Sequence, residues 1–394
     1  MVTEEDVIKA LPAEGFVRSY VIHAMKQTTA PVCYHLGTGL AILGVTCPLN
    51  YGMWYAGTLR ANMYVLLVGR SGEDQKSTAI GIGRGILFDA AAALIGDYPG
   101  SAEGLIDSLA RTPSQLIPMS EFGRFLAAAQ KGYFEPVKTL LADLWDSHAL
   151  QRARANGRVT RVDDPRLSLL AACSIPYLET HTLSEDWSGG FMGRWGVMYG
   201  QRVRIDPFPA GDRTHHDFLV EQLKSRATTV SAGWCEGLTP EARKLWEAWY
   251  GDLYSRRLPS QIVGIRARAP TIALKAALLY GWDFGPATQN RPWRIDVAEL
   301  IPALKFAELH IKSVVGLSGK IADHPDARLR RKVLEAIEGN GRVATLGNVL
   351  SYMKMKKRPV VEILDTLIEE GKIRKVMIEG GYSYSMRALS AHDM

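Results

Sequence analysis

The sequence has few cysteines, and none of them are arranged as a metal-binding or disulfide framework would be. Four cysteines are scattered along 394 residues without any C-x-x-C pair: Cys33, Cys47, Cys173 and Cys235. Each lies in or near an apolar stretch. We therefore predict buried free thiols in a reducing compartment rather than disulfides or a zinc site.

Long apolar runs are also missing. No stretch of about 18 apolar residues occurs, which predicts that no segment spans a membrane. The opening stretch, MVTEEDVIKALPAEGF, is acidic and lacks the basic-then-apolar order of a secretory signal. Both absences predict a cytoplasmic protein that does not bind a membrane.

Neither disorder nor extreme charge is indicated by the composition. Hydrophobic residues make up 47% and charged residues 22% of the chain, as in an ordinary globular protein. A chain of this length predicts two or three folding units. The net charge of +6 permits a nucleic-acid partner without requiring one.

One stretch, YVLLVGRSGEDQKSTAI, has most features of a phosphate-binding loop: an apolar strand, glycines and a final Lys-Ser-Thr. It lacks the glycine that normally precedes the lysine, because Gln75 stands there. The interval from Gly69 to Lys76 is also one residue longer than in G-x-x-x-x-G-K-[ST]. A buried strand, small residues and a following helix still predict backbone N–H groups that face phosphates.

The expected nucleotide-binding residues are Gly69, Ser71, Gly72, Glu73, Asp74, Gln75, Lys76, Ser77 and Thr78. We expect Lys76 to contact the β- and γ-phosphates of ATP, and Ser77 or Thr78 to ligate Mg²⁺. An ordinary strand–turn–helix with a surface lysine is the alternative interpretation.

Strands that alternate with helical segments predict an α/β core with a mostly parallel sheet. The predicted strands of this core are 63–68, 93–100, 115–121, 166–174 and 194–200. We predict an N-terminal helical segment (1–60), the core (61–237) and a further helical segment (238–316). After a linker, region 326–388 has three helical segments and two short strands around Gly380-Gly381, which is typical of a winged helix.

A carboxylate at the end of a neighbouring strand is the second requirement of a nucleotide hydrolase. QLIPMSEFG ends in Glu121, at the spacing expected for a next-but-one strand, while Ser120 stands where many such enzymes have aspartate. Glu121 is therefore the candidate for orienting the attacking water and, with Ser77, for holding Mg²⁺. A surface glutamate after an edge strand is the alternative interpretation.

Four motifs occur in a recognisable order: YVLLVGRSGEDQKSTAI, LIPMSEFGRFLA, DDPRLSLLAACS and GGFMGRWGVMYG. Over roughly residues 30–315 the chain resembles a family of RecA-like P-loop ATPases of phages, plasmids and integrated elements. These ATPases are similar to DnaB-type replicative helicases. The resemblance implies ATP and Mg²⁺ as cofactors, and a homo-oligomeric, hexameric ring that acts on single-stranded or forked DNA in replication.

The resemblance also implies roles for single residues. Ser174, at the end of a strand, looks like a polar sensor. Arg194 looks like an arginine finger that enters a neighbouring subunit's site, with Arg202 and Arg204 as alternatives. A salt-bridged structural arginine is the other interpretation of Arg194.

Two basic segments are candidate nucleic-acid contacts. The first set is Arg152, Arg154, Arg158 and Arg161, and the second is Lys354, Lys356, Lys357 and Arg358. The first set flanks an Asn-Gly turn and predicts a basic hairpin, although a solvated loop is equally consistent with it. The second precedes a helix with an acidic exposed face, so both DNA and another replication protein remain open as its partner.

Two functions are consistent with the sequence. The first is an ATP-hydrolysing, ring-forming DNA helicase or translocase of a mobile element. The second is a DNA-binding, scaffold or initiator protein whose degenerate loop binds nucleotide to control assembly without unwinding. The departures at Gln75 and Ser120 are the reason for the second.

Overall fold

The computed structural model describes residues 1–129, 135–153, 159–182, 186–187, 190–259, 262–285, 291–320, 325–378 and 381–386. The chain divides into two compact units, Met1–Ile321 and Ala322–Met394. The sequence regions 1–60, 61–237 and 238–316 lie together in the first unit.

A four-stranded parallel sheet forms the centre of the first unit. Its order is β4 (Ser114–Met119), β7 (Arg166–Ser174), β3 (Tyr64–Gly69) and β8 (Gly196–Tyr199). Every residue of β3 is buried, as a parallel strand covered on both faces requires. The expected mixed α/β fold with a parallel sheet is therefore confirmed.

Helices surround this sheet. They are α1 (Glu4–Ala10), α2 (Phe16–Gln27), α3 (Val32–Gly44), α4 (Lys76–Ala91), α5 (Ala102–Arg111), α6 (Phe122–Ala129), α7 (Glu135–Trp145), α8 (Ile175–His181), α9 (Arg213–Ala227), α10 (Pro240–Ser255), α11 (Ile265–Phe284) and α12 (Val297–Leu317). A second sheet has the order β10 (Trp293–Ile295), β9 (Cys235–Leu238), β1 (Met53–Trp54) and β2 (Thr58–Leu59), and β5 (Leu150–Ala153) pairs with β6 (Val159–Val162).

The predicted strand 93–100 is wrong. Only Ile95 pairs, in an isolated parallel bridge with Leu116 of β4. The amide of Gly96 donates to the carbonyl of Leu116 at 2.9 Å, and regular pairing does not continue. Glycine has a low strand propensity, and Pro99 has no N–H to donate, which explains why the segment stays irregular.

A carboxylate from far along the chain caps the N-terminus of α2. Asp283 accepts hydrogen bonds from the amides of Phe16 at 2.6 Å and Val17 at 3.0 Å. Gly15 lies so close that a Cβ there would be 2.5 Å from this carboxylate. Arg226 of α9 pairs with the same group at 3.2 Å. Helices α2, α9 and α11 are thereby fixed to one another.

Three histidines in the described part of the first unit are buried. Burial lowers the pKa of His35 and of His310 to about 3. Burial, with the nearby His215 and His216, lowers the pKa of His23 to about 4. Nδ1 of His310 accepts a hydrogen bond from the amide of Val197 in β8 at 3.0 Å. A protonated ring could not accept this bond, so the fold requires neutral imidazole there.

Two sequence predictions concern the cysteines and the absence of a membrane span. All four cysteines are buried and free, as predicted. Among the described residues, one helical stretch, Lys76–Leu94, is long and apolar enough to cross a membrane, with a mean hydropathy of 1.2. This hydropathy makes it a marginal candidate, and the helix also contacts α3 and α9 of the same unit. The described part of the chain shows no strong sign of a membrane protein.

The second unit combines helices α13 (Pro325–Gly339), α14 (Leu346–Met353) and α15 (Lys357–Glu369) with a three-stranded antiparallel sheet. The strands are β11 (Val343–Thr345), β13 (Gly381–Met386) and β12 (Ile373–Ile378), in that spatial order. It has its own core, which includes Val333, Leu364 and Tyr384. Residues 379–380, in the predicted hairpin turn, lie outside the described residues.

The buried histidines predict acid sensitivity. Their folded pKa values lie below the unfolded value of about 6.5, so the folded state binds fewer protons and loses stability as the pH falls below 6.5. Each contributes about 1.4 kcal/mol per pH unit in that range. In His310→Asn, an amide oxygen can replace Nδ1 without titrating. Urea unfolding at pH 7, 6 and 5 should show a shallower slope for this variant than for the wild type.

His148→Asn, which makes the same substitution at an exposed histidine, provides the matched control for the loss of an imidazole. An unaltered slope in His310→Asn would show that His310 is already protonated in the folded protein.

Candidate functional site

The glycine-containing loop joins the carboxyl end of β3 to the amino end of α4. Gly72 has φ of 74° and Gln75 has φ of 49°, both in the left-handed region. The chain therefore turns sharply twice before the helix begins at Lys76. This path places a helix N-terminus, with its unpaired N–H groups, at the edge of the sheet where parallel strands end.

Gln75 adopts a conformation that normally favours glycine. Left-handed backbone costs a non-glycine residue about 1–2 kcal/mol. The Gln75 side chain offsets this cost, because its Oε1 accepts hydrogen bonds from the hydroxyls of Thr28 and, at 3.4 Å, Thr29. The missing glycine is thus replaced by a residue that is held in place by the α2–α3 connection.

Asp74 is buried inside the loop. It accepts hydrogen bonds from the amide of Arg70 at 2.6 Å and from the amide of Arg202 at 3.0 Å. Its Oδ1 also pairs with the Arg70 guanidinium at 3.1 Å. Burial opposes ionisation, but these donors outweigh it and hold the pKa of Asp74 below its ordinary value. The carboxylate therefore ties the loop to the segment that follows β8.

Lys76 folds back over the loop. Its Nζ donates to the carbonyl oxygens of Gly69 at 3.2 Å and Arg70 at 2.7 Å. Burial lowers the pKa of this ammonium, and the negative charges of Asp74 and Glu121 act in the opposite direction. A partly desolvated cation at a helix N-terminus is well placed to pair with an anion.

The carboxyl ends of three strands meet at one pocket. Its volume is about 360 Å³. Its lining includes Ser71, Gly72, Gln75, Lys76, Ser77, Thr78, Ser120, Glu121 and Ser174. Ser174 pairs in register with Gly69, and β7 lies between β3 and β4. Glu121 therefore follows the next-but-one strand from the loop.

Three residues of the predicted nucleotide set do not line the pocket. Asp74 points into the protein, as described above. Glu73 is exposed and pairs with Arg70 at 2.5 Å. Gly69 is packed under Tyr34, whose hydroxyl would clash with a Cβ at that position. These residues shape the loop rather than facing its open side.

A second carboxylate, which the sequence reasoning missed, lies beside the pocket. Asp97 and Arg84 line an adjoining cavity of about 450 Å³ that shares Ser77 and Ser120 with the pocket. The bridge at Ile95 brings Asp97 to the carboxyl edge of the sheet. An aspartate directly after an apolar stretch was the signal that could have identified it.

Cys173 also lines the pocket, and it is not a candidate nucleophile. Burial raises the pKa of its thiol to about 12, which keeps it protonated.

Arg194 lies at the opposite edge of the sheet. It precedes the amino end of β8, whereas the pocket lies at the carboxyl ends. Its guanidinium pairs with Asp146 at 3.2 Å, donates to the carbonyl of Gly190 at 2.9 Å and lies over the Trp145 ring. This is the environment of a structural arginine, the alternative interpretation given above.

Arg202 and Arg204, the other finger candidates, follow the carboxyl end of β8. Arg204 donates to the carbonyls of Met25 at 2.6 Å and Thr28 at 3.1 Å. Arg202 Nε donates to the carbonyl of Arg204 at 3.1 Å, and its amide holds Asp74. Arg202 therefore has its backbone at the loop and a guanidinium that is only partly engaged.

The basic hairpin is only partly described. Arg152 of β5 pairs with Asp107 at 3.4 Å, and Arg161 of β6 pairs with Asp163. Arg154 and Arg158 lie outside the described residues. Both described arginines thus have acidic partners that a nucleic-acid phosphate would have to replace.

In the second unit, all four predicted basic residues are exposed. Lys354 ends α14 in a left-handed conformation, and Lys356 is the N-cap of α15. Lys357 and Arg358 form the first turn of α15, where Arg358 pairs with Glu362 at 3.2 Å. The four cations thus cluster around one helix N-terminus.

The donor set of the pocket fits a nucleotide with a hard cation. Within the described ranges, no group of three or more His, Cys, Asp or Glu side chains is placed to hold a metal alone. Ser77 and Glu121 supply one hydroxyl and one carboxylate, and Mg²⁺ commonly completes such a sparse protein set with water and phosphate oxygens.

Neither a comparison with models of protein families nor one with curated proteins finds a match to this chain.

The Asp74 contacts predict that replacing Asp74 lowers the free energy of unfolding much more than replacing its neighbour Glu73. Asp74→Ala leaves the amides of Arg70 and Arg202 without their acceptor, and we expect it to lower the free energy of unfolding by about 2–4 kcal/mol. Glu73→Ala removes only an exposed ion pair and should change it by less than about 1 kcal/mol. Urea denaturation measures both, and equal effects would contradict the structural role of Asp74.

Proposed function

We propose that the chain is an ATP-hydrolysing motor that acts on DNA, with a RecA-like core and a C-terminal winged helix. The observation that carries this proposal is the pocket that joins Lys76 and Ser77 of the loop to Glu121 and Ser174 at neighbouring strand ends. In line with the sequence resemblance, we propose a ring-forming helicase or translocase that serves replication of a mobile element.

The strand order supports hydrolysis rather than binding alone. Adjacent strands lie about 4.8 Å apart, so a next-but-one strand is about 10 Å away. That gap leaves room for a terminal phosphate and a water molecule between Lys76 and Glu121. The sheet order β4–β7–β3–β8 provides this gap, because β7 lies between β3, which leads to Lys76, and β4, which leads to Glu121.

Each residue then has a separate task. Bound ATP with Mg²⁺ supplies a phosphoanhydride bond to an electrophilic terminal phosphorus. The Lys76 ammonium neutralises phosphate charge, and Ser77 offers a hydroxyl to the cation. Glu121 accepts a hydrogen bond from the attacking water and orients it, and Ser174 offers a further polar contact.

DNA binding is supported by charge and by the second unit. The exposed cations around the N-terminus of α15 are suited to phosphate contacts, and the three helices with an antiparallel sheet have the element content of a winged helix. The acidic face of α15, which includes Glu362, disfavours deep insertion into the major groove. We therefore propose contacts to the DNA backbone, with a docking role for another replication protein as the alternative.

A second function has one specific observation in its favour. Ser120 directly follows β4, at the position where a hydrolase commonly has an aspartate. Among the described residues that line the pocket, Glu121 is therefore the one carboxylate. In this alternative the chain is a scaffold or initiator that binds nucleotide to control assembly and does not turn it over. Nucleotide binding without hydrolysis would favour it.

The roles of Lys76 and Glu121 predict different kinetic defects. Lys76→Ala should abolish ATPase activity stimulated by single-stranded DNA, because phosphate binding is lost. Glu121→Gln should lower kcat by about 10²–10⁴ with little change in KM, because the water is no longer oriented. Glu103→Gln, an exposed carboxylate on α5, serves as the matched control and should retain activity.

Absence of hydrolysis by the wild-type protein would contradict the motor proposal. So would undiminished activity in Lys76→Ala.

The positions of the arginines predict which one acts between subunits. Arg202→Ala keeps the amide that holds Asp74, so it should fold and assemble but lose about 10³ in kcat. Arg194→Ala should instead lower the free energy of unfolding by about 1–3 kcal/mol, because it leaves Asp146 without its partner. Steady-state ATPase assays and urea unfolding of both variants separate the two roles. Normal stability with lost hydrolysis in Arg194→Ala would reassign the finger to Arg194.

A further inference from the structure

The segment 201–210, termed the apolar arm, exposes three large apolar side chains. Within these ten residues, Val203 is 75% exposed, Ile205 88% and Phe208 87%. Exposed apolar side chains are normal when single, but a cluster of this kind marks an interaction surface. Phe208 is flanked by Pro207 and Pro209, which restrict the backbone around it.

The arm is held in place along its length. The Arg202 amide is bound to Asp74, and the Arg204 side chain is bound to the carbonyls of Met25 and Thr28. Further on, the amide of Ala210 donates to the carbonyl of Lys26 at 3.1 Å. The backbone is therefore anchored while the apolar side chains face solvent, an arrangement that lowers the entropy cost of docking.

A second surface is a row of partly exposed aromatic rings, termed the aromatic stripe. It consists of Trp246, Tyr250 and Tyr254, four residues apart on α10, and Tyr55 from the β1–β2 turn. Ring centroids are 6.3 Å apart for Tyr55 and Trp246, 6.1 Å for Trp246 and Tyr250, and 4.7 Å for Tyr250 and Tyr254. Residues four apart lie on one helix face, and these rings remain partly exposed.

The arm and the stripe lie at opposite ends of the central sheet. The arm follows the carboxyl end of β8. Tyr55 lies in the β1–β2 turn, and Arg60, which directly follows β2, pairs at 3.0 Å with Asp164, just before the amino end of β7. Strands β7, β3 and β8 run parallel, so the β1–β2 hairpin lies at their amino edge. Two complementary patches at opposite ends of one molecule cannot pair within it. They can pair head to tail between copies. Such a contact generates a ring when successive rotations from one copy to the next add up to a full turn.

The chemistry of the two surfaces is complementary. Proline-flanked apolar segments dock on grooves of tyrosine and tryptophan, which bury area at low entropy cost. Both surfaces carry charges of both signs. The arm has Asp206 with Arg202 and Arg204, while the stripe has Glu247 on α10 and Arg266, which lies over the Tyr254 ring at 5.7 Å, so each side offers partners for the charges of the other. We propose that the apolar arm of one chain docks on the aromatic stripe of a second copy. This inference extends the proposed function, because it names the contact that would assemble the ring.

The loop and the arm share two connections. Asp74 binds the Arg202 amide, and Thr28 donates its hydroxyl to Gln75 while its carbonyl accepts from Arg204. A neighbour seated on the arm thus contacts a segment that is bonded directly to the phosphate-binding loop. Nucleotide and neighbour are coupled through these contacts.

A complementation experiment tests the interface. Phe208→Ser removes the centre of the arm, and Tyr250→Ala with Tyr254→Ala removes the centre of the stripe. By sedimentation velocity, with and without ATP and Mg²⁺, each should weaken assembly at least tenfold relative to the wild type. Their mixture should form a dimer and nothing larger, because one intact arm meets one intact stripe. Tyr250→Phe with Tyr254→Phe should assemble normally.

Phe218→Ser, which changes an exposed phenylalanine on α9 outside both surfaces, should also assemble normally. Binding of a fluorescent ATP analogue, measured in parallel, distinguishes the two proposals. Retained binding with lost assembly supports the interface, whatever the hydrolysis rate.

Three results would overturn the inference: a monomeric wild type under all conditions, wild-type assembly by the arm and stripe variants, or a mixture that stays monomeric. A stripe variant that keeps its mass but loses binding to oligothymidylate would also overturn it, and would assign the stripe to single-stranded nucleic acid.

Discussion

The geometry of the pocket depends on one buried carboxylate, Asp74. A loop that turns twice through left-handed backbone needs an internal partner for its amides, because no regular structure supplies one. Asp74 provides it for Arg70 within the loop and for Arg202 beyond β8. The loop and the segment that follows β8 are therefore joined through this one group.

The sequence predicted best where burial on both faces left a strong signal. The strand Arg166–Ser174 is found with the predicted bounds, and Tyr64–Gly69 is shifted by one residue. Lys76, Glu121 and Ser174 meet because parallel strands end at a common edge, which is a consequence of chain direction alone. Asp74 was expected to face nucleotide because of its place in the loop. It binds Arg70 within the loop and the amide of Arg202, which is 128 residues away, and no local pattern contains the second contact.

Arg194 shows what the direction of a strand adds to a sequence motif. It stands before β8 and therefore lies at the amino edge of the sheet, away from the pocket of its own chain. The role that the motif GGFMGRWG suggests, in the site of a neighbouring subunit, stays a prediction. The predicted strand 93–100 was wrong, because only Ile95 of this segment pairs with the sheet. The sequence reasoning treated the whole segment as a strand and did not identify Asp97 as a residue beside the pocket.

Gln75 gives the loop a property that glycine could not. A glycine would adopt the same backbone conformation but would offer no side chain to Thr28, whose carbonyl in turn binds Arg204 at the start of the arm. Thermodynamic linkage makes such a connection reciprocal. In the assembly proposed above, the free energy that a bound nucleotide adds to docking at the arm would equal the free energy that a docked neighbour adds to nucleotide binding. Subunits of that assembly would therefore bind nucleotide cooperatively rather than independently.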